Sequence, residues 1–416
     1  MADANTVARI GGLLKQTYGP RVVEQQNMTA FTRKRYGKAD NEFYRAPGSQ
    51  FQFPARIGGN RGGIAPTASD DALPTALRQQ EKQFIQTDRG YSGQIRMFEK
   101  DMDNAEKNFQ SFISHKEDEI SGITRDMLKV INIDLCAGDG SGILSLIAAG
   151  TASATQTLAV GTGFGQWGSF YLQQNDVIDI YDSTLTTSRT AGAGVTVNSI
   201  TASTGGGAAT VVLSASVTTT TSDVVVRGGG RVNKSYIGFW GATHNQASTF
   251  QGLSTSTYPL LASNRINASG QPLTESLLRS AQSVVLRRAG VEIDEYLAGI
   301  AQFDAYEALS FAQKRFTEMK VDKGFTKLSF GDKDFYKDVD IPSSVVYGLK
   351  KSTVLFGEVS PLGFGDRDGA VLKWDPGFMA YRAYIREFGN MLYTNPNQLV
   401  AIDTLAYATS NPAYAA

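Results

Sequence analysis

The chain has 416 residues, enough for two or three domains, and its 40 lysine and arginine residues balance its 40 aspartate and glutamate residues. The zero net charge argues against a general polyanion-binding protein, although a local patch could still bind one. One cysteine and two histidines exclude a disulfide framework and a Cys/His zinc site. No apolar stretch approaches ~18 residues and no signal-peptide core follows the start, so we expect a soluble, cytosolically made chain without a membrane helix.

The first 39 residues carry a net charge of +5, which sets them apart from the rest of the chain. A frayed, solvated terminus is one interpretation. The alternative is an arm that crosses a neighbouring subunit or faces a polyanion. The charged residues are Arg9, Lys15, Arg21, Arg33, Lys34, Arg35 and Lys38, against Asp3 and Glu24.

Residues 43–97 are predicted to form one long β-hairpin. Phe51 and Phe53 alternate with polar residues, a glycine-rich turn covers 58–66, and residues 82–97 alternate loosely again. The segment has too few apolar residues to bury a core of its own. We therefore expect it to pack on another surface.

Residues 98–137 are predicted to form a long amphipathic helix, because apolar residues recur at three- and four-residue steps. Gly138 and Gly140 should end it. At about 1.5 Å per residue such a helix would be about 60 Å long. That length exceeds the interior of a compact domain, so the helix should run across one as a spine.

Residues 155–230 differ in composition, with 23 serine and threonine residues, 12 glycines, and neither proline nor lysine. Short β-branched runs separated by turn residues predict a small β-barrel or sandwich inserted into the main fold. A disordered linker is the alternative, which the valine and isoleucine content disfavours.

The rest of the chain alternates between helix and strand, so we predict an α+β fold with its strands concentrated late. Thr274 should cap one helix and Gly290 should end it. The other expected elements are a helix at 303–319 and strands at 325–330, 344–349, 378–388 and 391–402.

A search for chemical motifs predicts no catalytic, cofactor or metal site. Residues 163–168 match G-x-G-x-x-G, but strand-like residues follow where a dinucleotide site needs a helix, so we predict a turn. Residues 228–235 lack the glycine that a phosphate-binding loop needs before its lysine. Cys136 is expected to be buried, and His244 has no identifiable partner.

The order of these elements resembles that of the major capsid proteins of tailed bacteriophages, which have the Hong Kong 97-type fold. Residues 325–331, 340–342 and 345–348 look like that family's passage from its A domain to its P domain. The resemblance implies an N-terminal arm (1–42), an extended E-loop hairpin (43–97), a spine helix with the start of the P/A body (98–154), an inserted all-β domain (155–230), an A domain (231–354) and a return to the P domain (355–416).

The resemblance also implies a structural protein without enzymatic activity. Its pentamers and hexamers would close into an icosahedral head around double-stranded DNA, located in the virion and assembled in the host cytoplasm. A separate scaffolding protein, a portal and decoration proteins would be its partners, with no membrane involved. Two other functions stay open: a phage tail or attachment protein with a receptor-binding β domain, which the long helix disfavours, and a non-viral nanocompartment shell, which the β insert disfavours.

We expect the hairpin to lie across a neighbouring subunit, because a lone two-stranded hairpin is marginally stable in water. Its apolar contacts with the neighbour's spine helix would be Phe51, Phe53, Phe84 and Ile85. Its charged contacts would join Arg56, Arg61, Arg78 and Arg89 to Asp101, Asp103, Glu106, Glu117 and Asp118. DNA contact should be weak and non-specific, through the basic arm.

Overall fold

The architecture is that of a computed structural model, which describes residues 31–39, 50–67, 72, 74–75, 77–99, 109–201, 209–246, 248–313, 321–322, 325–326, 328–366, 371, 373–375 and 377–407. Its α-helices are α1 (Phe31–Arg35), α2 (Phe109–Ala137), α3 (Phe239–Thr243), α4 (Glu275–Ala289) and α5 (Ile300–Gln313). Its strands are β1 (Gln50–Gly58), β2 (Gln80–Thr87), β3 (Arg89–Phe98), β4 (Ile143–Ala149), β5 (Ala152–Leu158), β6 (Val177–Tyr181), β7 (Val195–Thr201), β8 (Ala209–Thr218), β9 (Val224–Arg227), β10 (Thr249–Phe250), β11 (Leu253–Ser254), β12 (Asn264–Asn267), β13 (Glu295–Ala298), β14 (Val321–Asp322), β15 (Phe325–Thr326), β16 (Leu328–Phe330), β17 (Lys333–Lys337), β18 (Val346–Leu349), β19 (Val354–Phe364), β20 (Lys373–Asp375), β21 (Ala380–Tyr393) and β22 (Val400–Asp403).

The first sheet is built around the 14-residue strand β21. β21 pairs antiparallel with β3 on one side and with β19 and β20 on the other. The prediction that two strands meet near residue 389 is wrong, because β21 runs through that position without a break. Gly389 is needed for packing rather than for a turn, since a Cβ atom there would lie 2.4 Å from the carbonyl oxygen of Gly357.

The expected hairpin is shorter than the sequence indicates. β1 pairs with β2, but β3 leaves the hairpin and joins the first sheet alongside β21. The polar–apolar alternation of residues 89–98 is the same in either arrangement, so the sequence alone did not distinguish them. The observed hairpin therefore ends at Thr87.

The spine helix α2 packs on the first sheet. Leu128, Ile131 and Leu135 are fully buried in one core cluster with residues of β3 and β21. The helix ends at Ala137 as predicted, but Phe98, its expected start, is the last residue of β3. The 29 residues of α2 span about 43 Å, and residues 100–108 lie outside the described part of the chain.

The second sheet has six strands in the order β12-β22-β18-β13-β17-β16, with parallel and antiparallel pairs. Helices α4 and α5 contribute to the core on this sheet. The predicted caps of α4 are confirmed: the Thr274 hydroxyl accepts from the amide of Leu277, and Gly290 ends the helix at φ 70°. With two sheets and packed helices, the fold is α+β.

A closed barrel of six strands lies between α2 and α3 in the chain, in the order β4-β5-β8-β7-β6-β9. The domain boundary expected at residue 155 falls inside β5 and so leaves β4 out of the inserted domain. β4 is rich in alanine, leucine and isoleucine, and its sequence therefore resembles the end of a helix. The residues just outside the barrel meet in a bridge between Asp139 and Ile237. The predicted turn at 163–168 is confirmed as a turn between β5 and β6.

We expect a fragment of residues 138–238 to fold alone, because it contains all six barrel strands and the Asp139–Ile237 bridge that joins its ends. Its circular dichroism should be of β type with a cooperative thermal transition. A fragment of residues 155–230 lacks β4 and the start of β5, so its barrel cannot close and it should give a coil spectrum. A β-type spectrum from both fragments would contradict the conclusion that the barrel needs β4 and the start of β5.

Candidate functional site

The hairpin of β1 and β2 has one buried face. Phe53 lies opposite Phe84 in the register, and their ring centroids are 5.2 Å apart. Phe51, Phe53 and Phe84 are 1%, 3% and 1% exposed, because they share a core with Leu261 and with Leu392 of β21. The three rings that we expected on a neighbouring subunit are thus buried in their own chain. Their partners follow at least 170 residues later, so no local pattern could indicate them.

Phe53→Ala should lower the free energy of unfolding of the isolated subunit by about 3–5 kcal/mol, because it opens a cavity in the chain's own core. Ile85→Ala is the matched control, since Ile85 is 38% exposed on the same hairpin, and it should cost less than about 1 kcal/mol. Denaturant unfolding of unassembled subunits measures both. Equal, small decreases in the free energy of unfolding for both variants would show that the Phe53 ring is not part of that core.

Arg89 does not belong to the hairpin. It opens β3, and its Nη1 donates to the carbonyl oxygens of Gly140, at 2.7 Å, and of Ser235. Burial lowers the pKa of its guanidinium. Arg89 therefore ties the first sheet to the two chain segments that flank the barrel, which is a correction to the inter-subunit role that we expected.

Four residues of the predicted set are exposed; the three arginines lie towards the tip of the hairpin and Ile85 lies near its base. Arg56, Arg61, Arg78 and Ile85 are exposed. Between the hairpin and the loop at Leu260 lies a groove of about 690 Å³, here called the tip groove. Its lining residues are Arg56, Gly58, Gly59, Asn60, Arg61, Ile64, Gln79 and Leu260.

The carboxylates expected to meet these arginines are not tested by the structure. Asp101, Asp103 and Glu106 lie outside the described residues. Glu117 and Asp118 are within α2, but their side chains are also outside the description. Their pairing with the hairpin arginines stays a prediction.

The arm residues 31–39 are inserted between the two sheets by ion pairs. Arg33 Nη1 donates to Glu387 Oε2 of β21 at 2.6 Å. Arg35 Nε donates to Glu295 Oε2 of β13 at 2.7 Å, and Tyr36 donates to the other oxygen of the same carboxylate. We call this set the arm clasp.

The arm clasp changes the interpretation of the basic terminus. Arg33, Arg35 and Lys38 pair with Glu387, Glu295 and Glu358 of their own chain. The two interpretations from sequence were a frayed, solvated terminus and an arm that crosses a neighbouring subunit or faces a polyanion. No sequence pattern indicates this pairing, because the three glutamates are spread over β13, β19 and β21.

Glu387 is fully buried, and this burial raises its pKa to about 7, although Arg33 acts in the opposite direction. Glu358 adds a like charge that also raises this pKa. At a pH between the unfolded and folded pKa values, the folded chain still holds a proton on this carboxyl group that the unfolded chain has already released. The contribution of Glu387 to stability is therefore present below its unfolded pKa and declines as the pH rises towards 7.

Between about pH 4.5 and 7 we expect the wild-type free energy of unfolding to fall by roughly 3 kcal/mol more than that of Glu387→Gln, because glutamine does not titrate. Denaturant unfolding at a series of pH values gives the slope of unfolding free energy against pH for each of the two proteins. The exposed pair of Glu292 with Lys333 offers a control, since Glu292→Gln should keep the wild-type slope in this window. If unfolding free energy depended on pH in the same way for wild type and Glu387→Gln, the raised pKa assigned to Glu387 would be wrong.

Cys136 lies in a buried polar cluster beneath the arm, as expected of a buried residue. Thr32 donates to Asp338 Oδ2 at 2.5 Å, and the Cys136 thiol donates to the same oxygen at 3.5 Å. Burial raises the pKa of this thiol well above its usual value. A raised pKa lowers the fraction of thiolate, which is the nucleophilic form of cysteine.

His244 proves to have a partner, Asp403, with Nε2 and Oδ2 2.9 Å apart. Arg265 Nε donates to the same oxygen at 2.7 Å, and the imidazole stacks on Trp240 at 3.9 Å. These residues line a cavity of about 270 Å³ that also contains Asp139. The cavity thus brings together two carboxylates, one guanidinium and one imidazole.

One end of the first sheet carries a large exposed apolar patch that the sequence did not indicate. Phe98, Trp374, Phe378 and Met379 are 44–65% exposed. The guanidinium of Arg96 lies 4.4 Å from the centroid of the Phe378 ring. Exposed apolar patches of this kind are typical of surfaces that contact another molecule.

No metal or membrane element is found in the parts of the chain that the structure describes. Over those residues no group of three or more His, Cys, Asp or Glu side chains is placed to hold a metal ion. Likewise, none of the described helices has both the length and the hydropathy to cross a bilayer.

Comparison with known proteins gives a match at the level of fold. Neither a family model nor a curated protein matches the chain. A chain of the cyanophage A-1(L) capsid asymmetric unit aligns over 88% of this chain and 90% of its own, with TM-score 0.51 and 10% identity. The capsid of an empty GTA particle aligns over 91% and 97%, with TM-score 0.45 and 8% identity. The capsid of Myoviridae phage XM1 aligns over 91% and 92%, with TM-score 0.39 and 9% identity. We base the structural assignment on the cyanophage chain: this protein has the fold of a phage capsid protein.

Proposed function

We propose that the protein is a structural subunit of a virion, many copies of which assemble into a closed icosahedral head around double-stranded DNA. The observation that carries the proposal is the fold shared with a cyanophage capsid chain over nearly the full length of both. No catalytic step is part of the proposal.

The elements take the family's parts as follows. The first sheet and α2 form the P domain, the second sheet forms the A domain, and the hairpin of β1 and β2 is the E-loop. The barrel is the inserted domain, with bounds at 143–227 rather than 155–230. The arm clasp then holds the arm at the junction of the P and A domains.

Assembly into a shell needs surfaces that contact other copies. Head-to-tail contacts close into pentamers and hexamers when the rotation between neighbours allows it. The tip groove and the apolar patch at the end of the first sheet are two exposed surfaces of suitable character. A scaffolding protein, a portal and decoration proteins would be further partners of such a shell.

Contact with DNA should be weak and non-specific. The arm has seven basic residues, but Arg33, Arg35 and Lys38 are paired with glutamates of the same chain. The remaining four are Arg9, Lys15, Arg21 and Lys34. So small a basic patch suits phosphate neutralisation at ~10⁻⁴ M or weaker, rather than sequence recognition.

Negative-stain microscopy of the purified protein tests the proposal, with closed shells as the expected result. A variant in which residues 59–79 are replaced by a short Gly/Ser turn is the matched control. It retains the buried rings of β1 and β2, so its subunits should fold but not close into shells.

Tubes or isolated trimers would contradict a shell and favour an attachment protein. Nuclease-protected DNA in shells from infected or packaging-competent cells would separate a virus head from a protein-filled compartment. Shells that protect enzyme cargo and no DNA would contradict the enclosure of a genome.

A further inference from the structure

Each ring nitrogen of His244 faces an oxygen that accepts hydrogen bonds. Nδ1 lies 3.1 Å from the carbonyl oxygen of Trp240, and Nε2 lies 2.9 Å from Oδ2 of Asp403. The Thr243 hydroxyl is also 3.1 Å from Nδ1, but it donates its one proton to the carbonyl oxygen of Phe239 at 2.7 Å. It therefore presents a lone pair to the ring. Since carbonyl and carboxylate oxygens only accept, both ring nitrogens must donate.

A histidine ring donates from both nitrogens only as the imidazolium cation. A neutral ring has one N–H and one lone pair, so on one side it would set a lone pair against an acceptor. Arg265 Nε donates to the same Oδ2 of Asp403 at 2.7 Å, and so this oxygen is an acceptor for His244 as well. The two hydrogen bonds of the His244 ring therefore depend on a single proton.

His244 joins helix α3 to β22 and supports a ring on which the barrel packs. Its side chain is 11% exposed and that of Asp403 is 1% exposed, so the link is largely shielded from water. The imidazole is parallel to Trp240, with 3.9 Å between the ring centroids. Trp240 also stacks with Phe164, on the barrel turn at 163–168, at 4.9 Å. The packing of this turn on α3 thus depends on the side chain that His244 supports.

Charged groups from three other parts of the chain surround the ring. Asp403 of β22, Arg265 of β12 and Asp139, which follows α2, line the same cavity as His244. An imidazolium balances these formal charges, whereas a neutral ring leaves a negative charge in excess. Oδ1 of Asp403 is buried, and over the described residues it has no hydrogen-bond partner. Loss of the Nε2 proton would thus remove one of the few donors to this buried carboxylate, which is costly.

We propose that His244 is a proton-operated latch that closes this cavity. With the imidazolium in place, α3 is tied to β22 and the barrel turn packs on Trp240. When the ring loses a proton, its lone pair faces an acceptor, one of its two links is lost, and the turn separates more readily from α3. Histidine side chains change charge between about pH 5 and 8, so the cavity opens as the pH rises through this range. The inference goes beyond the proposed shell function and does not depend on it.

The opening is confined to the turn. Elsewhere Tyr171 donates to the carbonyl oxygen of Asp340, and Arg227 pairs with Asp134 of α2. These contacts do not involve His244, so the barrel as a whole keeps its place when the latch opens.

Nitrogen-15 NMR of subunits labelled at histidine tests the protonation step. The chain has two histidines, so His115→Gln leaves His244 as the one ring to observe. Both ring nitrogens should be protonated at about pH 5, and one should lose its proton as the pH is raised to about 9. A ring with only one protonated nitrogen at about pH 5 would overturn the proposal.

Asp403→Asn in the same background tests the link between the two side chains. An asparagine amide can donate to a ring lone pair, so it accommodates a neutral imidazole. The pH at which His244 loses its proton should therefore fall by about one unit or more. Circular dichroism checks that the variant folds, and an unchanged titration in the folded variant would show that His244 and Asp403 are not linked.

Amide hydrogen exchange measures the opening of the turn without relying on that variant. The amides of Gly161, Gln166 and Gly168 form hydrogen bonds in and beside the turn and provide the readout. At about pH 6, His244→Gln should exchange there at least about tenfold faster than wild type, because it lacks the charged hydrogen bonds. At about pH 8.5 the two proteins should exchange equally, since the wild-type ring is then neutral. His115→Gln is the matched control and should behave like wild type at both pH values.

The ratio of the two exchange rates isolates the latch from other titrating groups. Glu387 titrates in the same range, but it is present in both proteins and cancels in the ratio. Equal exchange at about pH 6 would show that His244 does not hold the turn. The same excess rate for His244→Gln at both pH values would show that its effect does not depend on the proton, and either result would overturn the latch.

Discussion

The junction of the two sheets depends on arginines of the arm that reach buried glutamates. Glu387 is on β21 of the first sheet and Glu295 is on β13 of the second, and both are almost completely buried. Removing one partner from a buried ion pair leaves an uncompensated charge, which costs several kcal/mol. Arg33 and Arg35 are two residues apart on one short segment, so a single stretch of chain compensates both sheets. The relative position of the sheets is thereby coupled to the presence of the arm.

The buried face and the exposed tip of the hairpin differ in their contacts. Its inner rings pack with Leu261 and Leu392, so the two strands gain a hydrophobic core that an isolated hairpin would lack. Near its tip, Arg56 Nε donates to the Gln79 side chain and Asn60 Nδ2 donates to the carbonyl oxygen of Leu77. Within the described residues no carboxylate forms an ion pair with Arg56 or Arg61, and Ile64 and Leu77 near the tip are exposed. A supported tip of this kind is well suited to binding another surface, because little ordering is needed on contact.

The barrel is closed by its own strands but is not loosely attached. Tyr171 donates to the carbonyl oxygen of Asp340 at 2.8 Å, and Ile133 and Ala137 of α2 share the barrel's core cluster. Arg227 at the end of β9 pairs with Asp134 of α2. The threonine-rich barrel, which has few charged residues, is therefore presented at a fixed orientation to the spine helix.

Elements whose signals are local could be predicted from the amino-acid sequence alone. These are the end of α2 at Ala137, the Thr274 and Gly290 caps of α4, the β character of the low-charge region and the order of elements that resembles a capsid protein. The surface that each element contacts could be identified only in the folded chain. Alternation at period two is identical for a hairpin arm and for β3 in a sheet, and Gly389 looks like a turn although it permits close strand packing. Likewise, Arg33 and Glu387 are 354 residues apart. Ion pairs and burial depend on distances in space, which chain-local spacing does not encode, and so the arm clasp and the buried face of the hairpin emerged only from the folded chain.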